Sequence, residues 1–590
     1  MSSFHTKRES SLKTIQTDVF VVGAGPTGLS CAALLARQGV KVLAITRYSG
    51  LANSPRAHIT NQRTMEVLRD LGIEERVLAA AMPGKMMGQV VWATSFAGTE
   101  LARRKSWGAS AARLSDYALA SPSDLCNVHQ HVLEPILCDA AREFGADVRF
   151  SLELMSMEQN ERGVRSLCRD RVTGEEVEVL SQYAIGADGD NSVVCREIGF
   201  EVEGQMALGH MLNYWIKADL APWTAHRPGA LYQIIQPGAG IAVFVNVAPW
   251  DEWVMSMPYN PADGEPDTSD AAATQLARQF VGDDSLQVEV ELVSTSKWTI
   301  NQVFATQMHK GRVMIAGNAA HRHPPAGGLG ANTCIQDAYN LCWKLALVLR
   351  GQAGSALLHS YNDERQPVAK QIVLRANQSM KSLFALPQAF GLHPGQPEAD
   401  AWNAIHGMFS AEGNGTERRE QLHKALAMQD FNFNAIGVEL GQRYASSAIA
   451  GDGSHVEPTR DPELYYEPSS SPGSPLPHAW LARGTQNIST LDLAGQDGFT
   501  VITGIGGERW IEAARNAADK LGIAINGVRI GLGPKVDAQD VYGDWAALRE
   551  IGESGCLLVR PDRHIAFRAM CAVDDPEAVL TAALVQILAR

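Results

Sequence analysis

The segment GNAAHRHPPAGGLGAN (317–332) places two histidines and two prolines among glycines, directly before an apolar run that predicts a helix. His321 and His323 are two positions apart, and neutral imidazole is the commonest metal ligand in proteins. No third ligand lies at zinc-site spacing, and no two of the nine cysteines form a C-x-x-C pair. The sequence therefore favours a use of this loop other than metal binding.

The same loop can instead form a cradle for a ligand. The helix after it is predicted to begin at Asn332 or Thr333 as N-cap, with Gln336 completing a capping box, and to end at Gly351. A glycine loop that enters a helix N-terminus offers free backbone N–H groups and a partial positive charge of roughly half a unit. These features suit an anion or an electron-rich ring edge, but the loop alone does not identify the ligand.

A second glycine-rich stretch, TDVFVVGAGPTGLSCAALLARQGVKVLAIT (17–46), has the pattern of a strand, a tight turn, a helix and a second strand. Such a βαβ unit predicts a dinucleotide site. The acid that usually ends the second strand is Thr46 here, followed by Arg47, which leaves an NADP 2′-phosphate open as the ligand. In this fingerprint Gly23 allows the tight turn and Gly25 lets the backbone approach a pyrophosphate. Gly28 permits close packing of the helix on the strand.

The length and charge of the chain exclude several classes of protein. At 590 residues it is too long for one core and is expected to form roughly two to four domains. A formal net charge of −14 argues against nucleic acid or an anionic membrane as partner. No long apolar span or secretion signal is apparent, and an odd number of unpatterned cysteines is typical of a reducing compartment. We therefore expect a cytoplasmic protein with a flexible polar tail over residues 1–16.

Between 91 and 117, and again from about 200 to 298, the sequence predicts strands joined by polar turns. The GAG at 238–240 is typical of a hairpin turn. Tyr232, Trp253 and Met255 either pack an apolar sheet face or line a substrate pocket, and periodicity does not decide between the two. Residues 478–590 alternate strand-like and helix-like segments and predict a small α/β domain.

Two further stretches complete a pattern of motifs. YAIGADGDNSVVCREIG (183–199) and GRVMIAGNAAH (311–321) each continue an apolar strand into a glycine-containing turn. With the first glycine fingerprint they resemble the three motifs of class A flavoprotein monooxygenases, the aromatic hydroxylases that use FAD and NAD(P)H. Within that family, the stretches most similar to the phenol and dichlorophenol hydroxylases are SPRAHITNQRTMEVLRDLGI, HQHVLEPIL, HRHPPAGGLGANTCIQDAYNLCWKLALVL and GQRYASSAI.

The resemblance implies a mixed α/β fold, in which a Rossmann-like FAD-binding domain carries an inserted β-sheet substrate domain and a C-terminal thioredoxin-like domain. The last domain has no C-x-x-C pair, so no redox role is expected of it. The implied boundaries are the tail (1–16), the FAD-binding domain (17–90 with 118–199 and 299–370), the substrate sheet (91–117 with 200–298), a helical connector (371–454), a linker (455–477) and the thioredoxin-like domain (478–590).

The resemblance also assigns residues to the cofactor. The first glycines would bind the FAD pyrophosphate, Arg56 and Gln130 its phosphates and ribose, and Asp188 both FAD and the nicotinamide cofactor. The loop before the helix would cradle the pyrimidine end of the flavin, where a helix N-terminus suits the negative charge of the reduced ring. The implied cofactor-binding residues are Gly23, Gly25, Gly28, Thr46, Arg47, Arg56, Gln130, Asp188, Gly317, Asn318, Pro325, Gly328, Leu329, Gly330, Asn332 and Thr333. The implied substrate-pocket residues are Tyr232, Trp253, Met255 and His323.

The reaction implied is hydroxylation of a phenol ortho to its hydroxyl group by a homo-oligomer, with NADPH or NADH and O₂, through a flavin C4a-hydroperoxide. The family's aspartate base aligns with His58 in RAHITNQRT, which makes His58 the candidate base; a histidine that only forms hydrogen bonds is the alternative. Moving a proton from a phenol of pKa about 10 to an imidazole of about 6.5 is uphill by near 5 kcal/mol. Such a base suits an acidic phenol or partial proton transfer.

The chain departs from the family at the Gly-Asp pair, which is Gly317-Asn318 here. An amide forms a weaker hydrogen bond to the ribityl chain than an ionised carboxylate, by about 1 kcal/mol or more. We therefore expect weakened FAD binding that the substitution Asn318→Asp would tighten. Two alternatives stay open at this point: an FAD-binding family member with impaired or altered oxygenase activity, and an NADP-dependent dehydrogenase built on the first fingerprint.

Overall fold

The structure is a computed structural model that describes residues 13–283, 288–454, 457–496 and 498–590. The strands are β1 (Lys13–Val22), β2 (Val42–Ile45), β3 (Ile59–Thr60), β4 (Gln89–Ala93), β5 (Glu100–Lys105), β6 (Cys126–Asn127), β7 (Asp147–Arg149), β8 (Leu152–Asn160), β9 (Gly163–Asp170), β10 (Glu176–Gly186), β11 (Val202–Lys217), β12 (Leu231–Gln236), β13 (Gly240–Ala248), β14 (Glu252–Tyr259), β15 (Glu291–Ala305), β16 (His309–Lys310), β17 (Val313–Ile315), β18 (His321–Arg322), β19 (Trp480–Arg483), β20 (Gln486–Ser489), β21 (Phe499–Thr503), β22 (Ile525–Gly531), β23 (Ala538–Gln539), β24 (Cys556–Val559) and β25 (Ile565–Ala569).

The helices are α1 (Pro26–Arg37), α2 (Gln62–Asp70), α3 (Glu74–Ala80), α4 (Leu114–Ala118), α5 (Gln130–Glu143), α6 (Val193–Ile198), α7 (Ala221–Thr224), α8 (Asp270–Val281), α9 (Gly330–Leu349), α10 (His359–Leu383), α11 (Ala385–Ala389), α12 (Glu398–Met408), α13 (Gly415–Met428), α14 (Asp430–Phe433), α15 (Ile436–Leu440), α16 (Glu508–Leu521), α17 (Asp544–Leu548) and α18 (Pro576–Ile587).

The first sheet has the strand order β16-β17-β10-β1-β2-β7, with the β8–β9 hairpin attached to β10. Strands β17, β10, β1, β2 and β7 pair in parallel, and α1 connects β1 to β2. Residues 19–22 of β1 are buried, as expected for a parallel strand covered on both faces. This arrangement confirms the predicted βαβ unit.

The N-terminal boundary differs from the prediction. Strand β1 begins at Lys13, so residues 13–16 pair with residues 177–180 of β10 instead of belonging to a tail. The rest of the predicted tail, residues 1–12, lies outside the described residues. The sequence did not indicate this extension, because three of the four side chains of KTIQ (13–16) are polar. The strand leaves the apolar core there, but its backbone stays paired with β10.

The second sheet has the order β18-β15-β11-β14-β13-β12-β4-β5, and its central strands β15 to β12 run antiparallel. The predicted hairpin turn is confirmed between β12 and β13, where Gly238 and Gly240 have φ of 89° and 97°. A backbone with positive φ favours glycine. One face of this sheet packs against α8 in a separate apolar core.

The third sheet, β20-β19-β23-β22-β21-β24-β25, is packed against α16 and α18. The three sheets together confirm the mixed α/β fold expected from the motifs. The third sheet shares a core with α9, where Trp343 and Leu347 contact the cluster that contains Phe499. The predicted linker is buried from Ser469 to Ser471, so its second half packs instead of acting as an exposed spacer.

An ion network lies across the boundary between α9, α10 and the third sheet. Lys344 Nζ and Arg560 Nη1 lie 2.7 Å and 2.6 Å from the carboxylate of Glu364, and Arg560 also pairs with Asp562. All four side chains are buried. Burial alone would raise the pKa of Glu364, but Arg560 and Lys344 hold that pKa well below its ordinary value. The network therefore joins α9 and α10 to the C-terminal unit through compensated charges.

Candidate cofactor and substrate site

The turn between β1 and α1 is built for close backbone contact. Gly23 has φ of 114°, and a Cβ there would lie 2.0 Å from the Ala187 carbonyl oxygen. A Cβ at Gly28 would lie 1.9 Å from the Gly23 carbonyl oxygen, so these two glycines are required by the protein itself. A Cβ at Gly25 would meet only Glu134 Oε1, at 3.8 Å. Gly25 therefore leaves space open in front of the helix.

The N-terminus of α1 is free to bind an anion. Gly25 is its N-cap, no side chain caps it, and its first turn contains no acidic residue. Unpaired N–H groups and the helix dipole at such an end favour a phosphate. The residues present therefore fit the pyrophosphate of a dinucleotide.

Helix α9 offers a second free N-terminus. It begins at Gly330 with Leu329 as N-cap and no capping side chain, so the predicted cap at Asn332 or Thr333 is wrong. Asn332 is used elsewhere: its Oδ1 accepts the Asn61 N–H at 2.9 Å, and its Nδ2 donates to the Ile59 carbonyl at 2.8 Å. Thr333 Oγ1 donates back to the Leu329 carbonyl. These bonds fasten the loop to the strand segment that follows His58.

Asp337, two turns into α9, holds the start of the loop. Its carboxylate accepts the Gly317 N–H at 3.0 Å and lies 2.7 Å from His321 Nε2 and from Arg365 Nε. Burial would raise the pKa of Asp337, but Arg365 and then His321 keep that pKa below its ordinary value. His321 is thus a buried structural partner of Asp337.

The remaining predicted cofactor residues surround the carboxyl ends of the parallel strands. Thr46 directly follows β2 and its Oγ1 accepts the Tyr48 N–H, whereas the Arg47 side chain donates to the Tyr48 hydroxyl at 3.1 Å. Gln130 opens α5, and Asp188 accepts the Val193 N–H at 2.7 Å at the start of α6. Arg56 is exposed. Their roles toward FAD stay predictions.

His323 and Pro325 lie at the turn of the loop. Gly328 N–H donates to the Pro325 carbonyl, and His323 Nδ1 donates to the Pro324 carbonyl at 2.7 Å. A Cβ at Gly330 would lie 3.4 Å from His323 Cε1. Burial lowers the pKa of His323 to about 4, so its ring is neutral at ordinary pH.

His58 belongs to a row of three imidazoles. Its ring stacks on His129 with 5.3 Å between centroids, and His129 lies 5.9 Å from His131. His58 Nδ1 lies 3.2 Å from Asn127 Oδ1, an atom that can only accept, so Nδ1 carries the proton and Nε2 keeps a lone pair. Burial lowers the pKa of His58 to about 4 and that of His129 to about 3. His58 and His129 are therefore neutral at ordinary pH, and burial lowers the pKa of His131 as well.

Three predicted pocket residues lie on the other side of the second sheet. Tyr232, Trp253 and Met255 are fully buried in the core with α8, and their polar groups bond to backbone carbonyls. Neighbouring residues of a strand point to opposite faces. Tyr214 belongs to that core, whereas the ring of Trp215 faces His131, with 5.5 Å between the ring centroids. The structure thus places these three residues on the packed face, and their role in a substrate pocket stays a prediction.

The face toward the imidazoles carries groups that sequence reasoning missed. The indole N–H groups of Trp92 and Trp215 and Nδ1 of His131 are buried without a hydrogen-bond partner among the described residues. Buried polar groups are nearly always paired, so these groups are available to bond to a ligand. Unpaired buried atoms such as Ser30 Oγ and Trp343 Nε1 also lie elsewhere in the described part of the chain. The alternation of polar residues in N-V-H-Q-H (127–131) was the available signal.

Within the part of the chain that the structure describes, no helix combines the length and apolar character needed to cross a membrane. The sequence matches the model of the FAD binding domain family over residues 16–376 and that of the aromatic-ring hydroxylase C-terminal family over residues 469–590. Two family models thus cover the parallel sheet, the second sheet and the C-terminal unit.

Curated relatives extend over the whole length. The chain is 44% identical to 2,4-dichlorophenol 6-monooxygenase of Delftia acidovorans over 97% of this chain and 98% of the relative. It is 43% identical to phenol 2-monooxygenase of Pseudomonas sp. (strain EST1001), covering 98% and 94% of the two chains.

Solved structures show the same architecture. The flavin-dependent monooxygenase PieE, in complex with FAD and substrate, superposes with a TM-score of 0.93 at 42% identity, over 98% of this chain and 99% of that one. Aklavinone-11 hydroxylase, in a ternary complex with FAD and aklavinone, gives a TM-score of 0.80 at 30% identity, over 97% and 99%.

Proposed function

The chain belongs to the FAD-dependent aromatic-ring hydroxylases, and we propose that it hydroxylates a phenol ortho to its hydroxyl group with NAD(P)H and O₂. The observation that carries this proposal is the end-to-end identity with phenol and dichlorophenol monooxygenases. The dehydrogenase alternative accounts for only the first fingerprint, whereas the family match runs to residue 376.

FAD, when bound, supplies the electron transfer and oxygen activation that no side chain can provide. The protein's part is to hold it. We assign the pyrophosphate to the free N-terminus of α1 at Gly25, and the pyrimidine end of the flavin to the free N-terminus of α9 at Gly330. Arg56, Gln130 and Asp188 are proposed to contact the same cofactor from the ends of neighbouring elements.

His58 is proposed to accept a hydrogen bond from the phenol. Asn127 fixes the tautomer that leaves Nε2 as an acceptor. With the pKa of His58 near 4, transfer of a whole proton from a phenol of pKa about 10 is uphill by about 6 units, near 8 kcal/mol. This cost is larger than the sequence alone indicated. His58 therefore orients the phenol and accepts a hydrogen bond from its hydroxyl group without taking the whole proton. Hydroxylation of the most acidic phenols should depend least on this bond.

The substrate pocket is proposed on one face of the second sheet, between β4, which bears Trp92, and β11, which lies four strands away and bears Trp215, with His131 beside Trp215. Indole N–H groups and a neutral imidazole can bond to oxygen substituents of an aromatic ring. Apolar contact from the indole rings would exclude water while the phenol is held. The proposed co-substrate is O₂. The protein is also proposed to be a homo-oligomer, which size-exclusion chromatography with light scattering tests.

The test is a panel of substituted phenols that spans acidic and ordinary pKa values, with NAD(P)H oxidation and hydroxylated product both measured. Phenols should stimulate NAD(P)H oxidation and yield the ortho-hydroxylated product. His58→Ala should reduce hydroxylation of ordinary phenols by about 10²-fold and that of acidic phenols less. His58→Gln keeps an acceptor oxygen and should recover part of the loss, while His423→Ala, at an exposed helix position, serves as control. NAD(P)H oxidation that no phenol stimulates would contradict the proposed function.

A further inference from the structure

Asn318 and Asp190 form a hydrogen-bonded pair beyond the carboxyl ends of two neighbouring parallel strands. Asn318 Nδ2 donates to Asp190 Oδ1 across 2.9 Å. Asn318 follows β17 and Asp190 follows β10, which pair in parallel. Ligands of open parallel sheets bind outside the carboxyl ends of the strands. The pair therefore lies on the edge where a dinucleotide would cross the sheet.

The pair also lies between the two free helix N-termini. A Cβ on Gly317, the neighbour of Asn318, would meet Thr27 Oγ1 in the first turn of α1 at 2.2 Å and Cys334 Sγ near the start of α9 at 3.1 Å. Cys334 Sγ donates to Asn318 Oδ1 at 3.6 Å. One helix end suits the pyrophosphate and the other the flavin ring, so the part of FAD between them, the ribityl chain, passes this pair.

The ribityl chain carries hydroxyl groups, which donate hydrogen bonds and are held best by an ionised acceptor. The Asn318 amide donates one N–H to Asp190, and its oxygen accepts a weak bond from the Cys334 thiol. Asp190 Oδ2 accepts no hydrogen bond within the described part of the chain, and the residue is exposed. The pair thus presents one carboxylate oxygen fixed by an amide and one free for a ligand.

We propose that Asp190, held in place by Asn318, is the carboxylate that accepts hydrogen bonds from the ribityl hydroxyls of FAD. The inference rests on the proposed binding of FAD between α1 and α9. This assignment replaces the expectation that Asn318 weakens FAD binding. Asn318 occupies the position of the family's aspartate, and the Asp190 carboxylate lies 2.9 Å from its amide. Asp190 is the acceptor, and Asn318 is a positioning residue.

The charge arrangement makes a prediction opposite to the one from sequence. In Asn318→Asp, two carboxylates would lie about 3 Å apart, and such like charges resist joint ionisation. FAD binding should then weaken. The exchange Asn318→Asp with Asp190→Asn restores one carboxylate and one amide in contact, with their positions swapped, and should return binding toward that of the unmodified protein.

The experiment is calorimetric titration of the four apoproteins with FAD, with apoprotein circular dichroism to show that each is folded. Relative to the unmodified chain, we expect Asp190→Asn to raise the FAD Kd about tenfold, the effect of one charge-assisted hydrogen bond. Asn318→Asp should raise it at least as much, and the double variant should lie within about threefold of the unmodified chain. Asp400→Asn, an exposed acid on α12, is the control and should leave the Kd unchanged.

ADP supplies a second readout, because it contains the pyrophosphate but no ribityl chain. Competition by ADP should give the same affinity in the unmodified chain and in Asp190→Asn. Tighter FAD binding by Asn318→Asp, or a double variant as weak as the two single losses combined, would overturn the inference. FAD binding by the unmodified chain that Asp190→Asn leaves intact would remove Asp190 from the site without touching the proposed function. No FAD binding by the unmodified chain would contradict the proposed function itself.

Discussion

The boundary with the C-terminal unit and the candidate site both bury polar side chains, but the two regions differ in how the charged groups are paired. At the boundary, Lys344, Glu364 and Arg560 have no exposed side-chain surface and each lies within 2.7 Å of an opposite charge. At the site, the indole N–H groups of Trp92 and Trp215 have no partner among the described residues. Trp343 Nε1 and His564 Nε2 also lack a partner at the boundary, so the difference lies in the charged groups. These are paired with opposite charges at the boundary, whereas the site leaves neutral donors available to a ligand.

The helix ends extend the same contrast. The N-termini of α1 and α9 face the site without a capping side chain. In the C-terminal unit, Asp575 caps α18 by accepting the Ala578 N–H, although that helix also carries an acidic residue in its first turn. Helix α16 of the same unit also lacks a capping side chain but has Glu508 in its first turn, whereas the first turns of α1 and α9 contain no acidic residue and suit an anionic cofactor.

The largest effect should come from breaking the paired region. Glu364→Ala leaves Lys344 and Arg560 buried without their carboxylate, so the free energy of unfolding should fall by about 3–5 kcal/mol. Urea denaturation measures it. The folded fraction should still bind FAD, because Glu364 does not contact the glycine turn. Glu158→Gln, in an exposed ion pair with Arg165, is the control and should not shift the midpoint. A midpoint equally unmoved in Glu364→Ala would remove the network from the stability account.

The next effect tests the unpaired region. Gly25→Ala adds a methyl group with only Glu134 Oε1 within 4 Å, at 3.8 Å, and its backbone has φ of −84°, which alanine adopts freely. Folding stability should be unchanged, whereas the FAD Kd should rise about 100-fold, near 2.7 kcal/mol, because the backbone can no longer approach the pyrophosphate. Gly50→Ala, with nothing within 4 Å of the added carbon, is the matched control. Normal FAD affinity in Gly25→Ala would place the pyrophosphate elsewhere.

Acid should weaken both regions through buried neutral histidines. Burial lowers the pKa of His129 at the site and of His564 at the boundary to about 3. Between pH 6.5 and 4 the unfolded chain binds protons that the folded one does not, so each histidine should lower the free energy of unfolding by about 1.4 kcal/mol per pH unit as the pH falls. His129→Gln and His564→Gln should each reduce that slope; exposed His423→Gln should not. Unchanged slopes would show that these histidines protonate in the folded state.

The smallest effect concerns the pH dependence of turnover. With the pKa of His58 near 4, its ring stays neutral from pH 5.5 to 8.5, and kcat/KM should show no inflection that belongs to it. Profiles of the unmodified enzyme and His58→Gln should therefore be parallel for one phenol. An inflection near pH 6.5 that is present in the first and lost in the second would make His58 an ordinary base.

The sequence predicted the βαβ unit and the glycine turn correctly because local periodicity and glycine spacing specify them. It misplaced the cap of α9, since Asn332 forms its bonds with Asn61 and Ile59, 271 and 273 residues away. It could not tell which face of the second sheet packs on α8, because alternation along a strand distinguishes two faces without naming their neighbours. The Asn318–Asp190 contact, across 128 residues, depends on strand order in the same way.

The central claim is that the free helix ends and unpaired groups serve FAD and a phenol in a monooxygenase reaction. The most direct measurement is turnover of a phenol under ¹⁸O₂ with NAD(P)H, followed by mass spectrometry of the product. The account predicts an ortho-hydroxylated product that carries one ¹⁸O atom for each NAD(P)H consumed with productive substrate. NAD(P)H consumption without labelled product from any phenol of the panel would contradict it.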